Sequence, residues 1–106
     1  MPKQPYSLIY APAIKEHLLQ IDKEHHSLIR DAIAEQLTFE PEVESRNRKP
    51  LKRPVVPESE WEVRFGYQNQ FRVFYRVHKN PRTVDILAIG VKQGKDLLIG
   101  GEKIES

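Results

Sequence analysis

The segment Arg46-Asn47-Arg48-Lys49-Pro50-Leu51-Lys52-Arg53 carries five cations in eight positions and no acid. Proline stiffening lets such a segment present Arg46, Arg48, Lys49, Lys52 and Arg53 at low ordering cost. Phosphate contact to RNA or DNA is the natural use, because each neutralised phosphate releases counterions. The plain alternative is a solubilising loop. A second basic set lies further on. Trp61, Val63 and Phe65 alternate with Glu62 and Arg64, and Phe71, Val73, Tyr75 and Val77 alternate with Arg72, Phe74 and Arg76. If the apolar set faces a core, Arg64 and Arg72 or Arg76 approach to about 5–8 Å between Cβ atoms across a hairpin. Like charges that close need an anion. An unneutralised pair is a phosphate seat, since the guanidinium fork matches phosphate oxygens two at a time. Glu62 is the candidate for internal compensation, and the plain alternative is a solvated face with one Glu–Arg pair. Phe74, between the arginines, offers a ring for a base to stack on.

Other chemistry is poorly represented. His17 lies off the apolar stripe of its segment, and His25 and His26 sit at an expected helix break, where solvated or capping roles fit best. His78 ends a strand beside a turn and is a candidate acid or base by residue type, but most turn histidines are inert. No second ligand stands at a metal-binding spacing from any histidine, so no metal and no cofactor are expected. Cysteine is absent, which removes disulfides, thiolate metal sites and cysteine nucleophiles. There is no phosphate loop, no GxSxG elbow and no HExxH.

The elements that must position these groups follow from periodicity. Tyr6–Tyr10 reads as a short strand ended by Ala11-Pro12. Ile14, Leu18 and Ile21 follow one helical face, and Leu28, Ile29, Ala32, Ile33 and Leu37 follow another, with a break near Asp22–Glu24 and a stop at Pro41. Four prolines between residues 40 and 59 argue for an extended loop, ordered or flexible. Three strands follow with short loops, the third being Thr83–Ile89 closed by Gly90. Asp96–Ile99 reads as a helical turn. The expectation is an α+β domain of order β-α-α-β-β-β over residues 1–106. Its antiparallel sheet has about four strands, with two N-terminal helices on one face and the other face wet.

With 106 residues, 39% apolar and 30% charged, the chain is one domain's worth and not a disordered polyelectrolyte. No run reaches the roughly 18 apolar residues of a membrane helix, and no signal peptide is read. A cytoplasmic protein without membrane contact is expected. The net charge of +2 hides an asymmetry. Residues 1–45 carry four basic and eight acidic residues, a charge of −4, and residues 46–106 carry thirteen and seven, a charge of +6. One region therefore suits a polyanion or an acidic partner.

The passages Asn47–Lys52, Trp61-Glu62-Val63-Arg64-Phe65-Gly66, Phe71-Arg72-Val73-Phe74-Tyr75-Arg76-Val77 and Val84–Gly90, in this element order, resemble the RelE/ParE superfamily of type II toxin–antitoxin toxins. The likeness covers nearly the whole chain and is most specific in the paired strands. It implies a small antiparallel sheet flanked by two N-terminal helices and silencing by a cognate antitoxin. RelE-type members cut messenger RNA at the ribosome without a metal; ParE-type members poison DNA gyrase. Carried over residue by residue, Arg64 matches one second-strand position and Glu62 occupies the other, normally basic one. Arg72 matches the third-strand arginine, and Lys92 falls where a basic residue is expected after the last strand. No Tyr or His follows Gly90, and Leu98 stands near the position of the usual tyrosine.

Metal-free RNA cleavage needs a proton acceptor, a proton donor and positive charge on the phosphorane. Arg64, Arg72 and Lys92 supply the charge. Lys52, Lys92 and Glu62, then Tyr67 and His78, are the candidates for proton transfer. The leading expectation is an mRNA endoribonuclease toxin. A non-enzymatic gyrase inhibitor, or a degenerate toxin that only binds its antitoxin, are the alternatives.

Overall fold

A computed structural model describes residues 4–104. The elements are β1 (Ser7–Tyr10), α1 (Ile14–Leu19), a 3-10 turn at Lys23–His25, α2 (His26–Leu37), β2 (Arg48–Pro50), β3 (Trp61–Phe65), a second 3-10 turn at Tyr67–Asn69, β4 (Phe71–Lys79), β5 (Arg82–Gln93), β6 (Asp96–Ile99) and β7 (Glu102–Lys103). The α+β class and the two N-terminal helices agree with the sequence expectation. The sheet does not stop at about four strands: seven are present among the described residues, in the order β2-β3-β4-β5-β6-β7, with β1 pairing β5.

Three departures have local causes. Arg48–Pro50, inside the proline-rich segment, pairs antiparallel with β3. An edge strand tolerates Pro50 because one side of the ladder needs no donor. Asp96–Ile99 is not a helical turn. It folds back on Gly90–Gln93, because the turn at Gly94 (φ 62°) reverses the chain with a conformation that glycine adopts freely. β1 runs parallel to β5, from Ser7 opposite Thr83 to Tyr10 opposite Ile86, so the sheet is not wholly antiparallel.

β5 is the longest strand, and its apolar run needs a bulge. Tyr75 pairs with Ile86 and Phe74 with Ala88, which leaves Leu87 unpaired. The extra residue reverses the alternation. Val84 and Ile86 before it, and Ile89 after it, all face the helices. There they meet Ile29, Ile33 and Leu37 of α2, together with Val63, Phe71, Val73 and Tyr75. Tyr75 is buried, and its hydroxyl donates to the carbonyl of Pro41 (2.7 Å), which pins the segment after α2.

The opposite face is not simply wet. Phe74, Ala88 and Ile99 form a second apolar cluster, covered by Leu51, Val55, Val56, Leu97 and Ile104. The proline-rich segment is thus an ordered cover. Its amides are satisfied locally: the Ser59 hydroxyl accepts from the amides of Val55 (3.0 Å) and Val56 (3.2 Å), and the Leu51 amide donates to the carbonyl of Glu60 (2.8 Å). Among the described residues, no helix is long and apolar enough to cross a membrane.

Candidate functional site

In the hairpin of β3 and β4, Arg64 lies directly opposite Arg72, and Glu62 opposite Phe74. Residues two apart on a strand share a face, so Glu62, Arg64 and Arg72 project together on the side away from the helices. The carboxylate settles the repulsion expected from sequence. Oε1 of Glu62 accepts from Nε of Arg64 and from Nη1 of Arg72 (3.4 Å). Glu62 is only 8% exposed, and a carboxylate that far from water is retained only when cations hydrogen-bond to it. Arg72 also donates from Nε to the carbonyl of Asn69 (3.2 Å), in the loop joining the two strands. Burial, and next the charge of Arg64, pull the Arg72 guanidinium below its ordinary range. Two guanidinium groups sharing one carboxylate leave one net positive charge at this point.

Lys92 joins them from β5. Arg72 pairs with Gly90, and Lys92 stands two residues beyond Gly90 on the same face, a diagonal neighbour of Arg72 at roughly 7–8 Å. Its Nζ donates to the carbonyl of Lys95 (3.2 Å). The three cations named from sequence therefore converge on one face. Gly90 matters to this arrangement. A Cβ there would stand 2.9 Å from Cδ1 of Leu97 and 3.2 Å from Cγ1 of Ile99, so glycine leaves the β6 side chains room over β5 at the position paired with Arg72. Beside Lys92 opens a cleft of about 450 Å³, bounded by Arg53, Lys95, Val55, Leu97 and Ile104.

The structure divides the basic octet. Arg48 pairs with Val63, which turns it to the helix side. It donates there to the carbonyl of Val43 (2.8 Å), and to the backbone carbonyl (3.2 Å) and side-chain Oε1 (2.6 Å) of Gln36 at the end of α2. Arg48 is thus a tie between α2 and β2 and not a free phosphate contact. Lys49 is on the outer face, paired with Glu44 at 3.6 Å. The side chains of Arg46, Lys52 and Arg53 are exposed and make no ion pair among the described residues.

Two strand residues also change role. Phe74 is fully buried, so it presents no ring to a base; the segment from Leu51 to Val56 occupies that place. Arg76 stands on the far side of Phe74 from Arg72 and pairs with Glu58 and Glu60, both at 3.8 Å. His78, near it, bonds Asp85 at 2.8 Å and lies outside the Arg64–Arg72–Lys92 group. Tyr67 is 78% exposed in the β3–β4 loop, where Gln68 (φ 53°) and Asn69 (φ 54°) hold left-handed conformations.

Sequence reasoning missed the part played by Gly90, Lys95 and Leu97. The available signal was the two glycine turns that bound β6, at Gly94 and at Gly100-Gly101. Two of the histidines bond to backbone. Nε2 of His26 lies 2.9 Å from the carbonyl of Leu18 and 2.8 Å from that of Ile21, capping the end of α1. Nδ1 of His17 accepts from the amide of Ile89 (3.2 Å), at the stretch of β5 between the reach of β1 and that of β6. Burial lowers the pKa of His17, opposed by the nearby charge of Glu16. Asp22, Glu24 and His25 bring donor atoms within 4.8 Å of one another, a set able by type to hold a cation. They are largely exposed at the helix break, and the His25 ring packs on Phe71, on the face opposite Arg72. No family model matches the chain, and no curated protein matches it.

Proposed function

We propose that this chain is a RelE/ParE-like toxin whose outer sheet face holds messenger RNA by its phosphates and cleaves it at the ribosome, in the cytoplasm, under control of a cognate antitoxin. One observation carries the reading: Arg64, Arg72 and Lys92, from three adjacent strands, share one side of the sheet. In this mechanism the 2′-oxygen attacks the adjacent phosphorus, the bond to the 5′-oxygen breaks, and a 2′,3′-cyclic phosphate and a 5′-hydroxyl result. Arg64 and Arg72 stabilise the added charge on the phosphorane. Lys92, the third cation of the face, is assigned the proton exchange with the reacting oxygens. Glu62, with Oε1 already bonded to both arginines, is a positioning carboxylate: it fixes the guanidinium planes before substrate arrives. Ribosomal positioning of the message supplies the orientation that so sparse a site does not.

Expression of the wild-type chain is expected to arrest growth and to create new 5′ ends inside translated codons, read by primer extension. Arg72→Ala is expected to lower cleavage by about 10²–10³-fold, the usual loss for one preorganised charge donor. Full toxicity of that variant would overturn the reading. The lack of Tyr or His after Gly90 favours a second reading, gyrase poisoning. DNA breaks with intact message would select it, and binding to an antitoxin without toxicity would identify a degenerate toxin.

A further inference from the structure

The cleft beside Lys92 has the composition of a ligand site. Its volume of about 450 Å³ falls within the roughly 300–1,000 Å³ of small-molecule pockets. Its cations come from three segments: Arg53 from the cover over the sheet, Lys92 from β5, and Lys95 from the turn into β6. No carboxylate lines it among the described residues. Asp96, adjacent in sequence, is turned to Lys103 at 3.5 Å. Its apolar wall is made by Val55, Leu97 and Ile104, which continue the buried cluster of Phe74, Ala88 and Ile99. An apolar wall ringed by three uncompensated cations fits an anion that carries a flat, weakly polar body. Arg53 is suited to both parts, since a guanidinium stacks on an aromatic face and bonds phosphate oxygens.

We propose that this cleft is a nucleotide subsite, in which an aromatic base lies on Val55, Leu97 and Ile104 and its phosphate meets Arg53, Lys92 and Lys95. The assignment rests on the outer face being the RNA-binding face, and it gives that face the base contact that buried Phe74 does not. Lys92 belongs to both groups, so a chain whose phosphodiester lies on Arg64 and Arg72 places a neighbouring base in the cleft. Gly90, paired with Arg72, lies between the two groups and leaves room over β5 for Leu97.

The test is an NMR titration of the full chain with a nucleoside 3′-monophosphate, with inorganic phosphate and with decyl phosphate as separate probes. The nucleotide is expected to shift the signals of Val55, Leu97 and Ile104 and to bind about tenfold or more tightly than inorganic phosphate. The double variant Arg53→Glu/Lys95→Glu, which alters two exposed side chains, is expected to weaken it by about tenfold or more. Equal affinity for inorganic phosphate, shifts confined to other residues, or stronger binding of decyl phosphate would each overturn the proposal. A single-stranded RNA oligomer separates this failure from failure of the functional reading. Oligomer binding that Arg72→Ala abolishes, but that neither the double variant nor removal of one base affects, would discard the cleft and keep the RNA face. Nucleotide binding in the cleft by a chain with no affinity for the oligomer would keep the cleft and discard the RNA face.

Discussion

Glu62 is buried between two arginines, and its bonds to both explain how Arg64 and Arg72 stay opposed across β3 and β4. A carboxylate beneath two guanidinium groups costs desolvation energy and returns it through charge-assisted hydrogen bonds. Glu62→Gln keeps the shape and removes the charge. It is expected to lower stability by about 2 kcal/mol, because partly buried guanidinium groups lose their counter-charge. RNA affinity of the same variant is expected to rise, since the face gains one net positive charge. Urea denaturation and fluorescence anisotropy read the two effects, and a variant that weakens both would show Glu62 to be a substrate-contacting group. Arg48 gives the opposite pattern. Arg48→Ala removes hydrogen bonds to Gln36 and Val43 and is expected to cost about 2 kcal/mol of stability, with RNA affinity unchanged. A loss of affinity without a loss of stability would return Arg48 to the interface.

At the scale of elements, β5 organises the site. It carries Lys92, offers Gly90 to Arg72, and pairs with β4 along one edge while β1 and β6 share the other. The bulge at Leu87 allows one strand to feed apolar residues to the helix face on both sides of it, and still present Ala88, Gly90 and Lys92 outward. Gly90→Ala places a methyl group against Leu97 and Ile99. It is expected to cost about 1–3 kcal/mol, the usual range for overpacking, and to reduce RNA affinity by moving β6 away from Arg72. Thermal melting and anisotropy measure both. An unchanged melting temperature would mean that Leu97 simply turns aside.

For the whole molecule, α1 is tied to the sheet through a titratable link. Nδ1 of His17 accepts from the amide of Ile89, so the neutral ring is the bonded form and its pKa in the folded chain lies below the ordinary 6.5. As pH falls through 6.5, the unfolded chain takes up the proton first, and stability is lost progressively down through the folded-state value. Above 6.5 both states are neutral and the contribution is fully present. His17→Gln retains an acceptor without titrating. The urea midpoint of the wild type is therefore expected to fall more than that of the variant between about pH 7.5 and pH 5.5. Equal falls would show that His17 does not couple pH to stability. The charge asymmetry acts at this scale too, because residues 46–106, with their excess of cations, contain β2 through β7, six of the seven strands among the described residues and all three that carry Arg64, Arg72 and Lys92.

Period-two alternation in Trp61–Phe65 and Phe71–Val77 determined by itself which side chains of the hairpin face the helices, and so that Arg64 and Arg72 project together. The alternation left the register open between Arg72 and Arg76 as the partner of Arg64, because a slip of two residues keeps every side chain on its face, and the structure set Arg64 opposite Arg72. The helical spacing of Ile29, Ile33 and Leu37 likewise specified the face of α2 that covers the sheet. Only the tertiary structure decided what lies on the other face. Phe74 reads from sequence as an outward ring, and becomes buried because a segment some twenty residues earlier folds over it. Arg48 reads as one cation among five, and is turned away because a three-residue strand has the parity of Val63. Contacts between segments distant in sequence leave no local periodic trace, and the cover, the bulge and the cleft beside Lys92 are all built from such contacts.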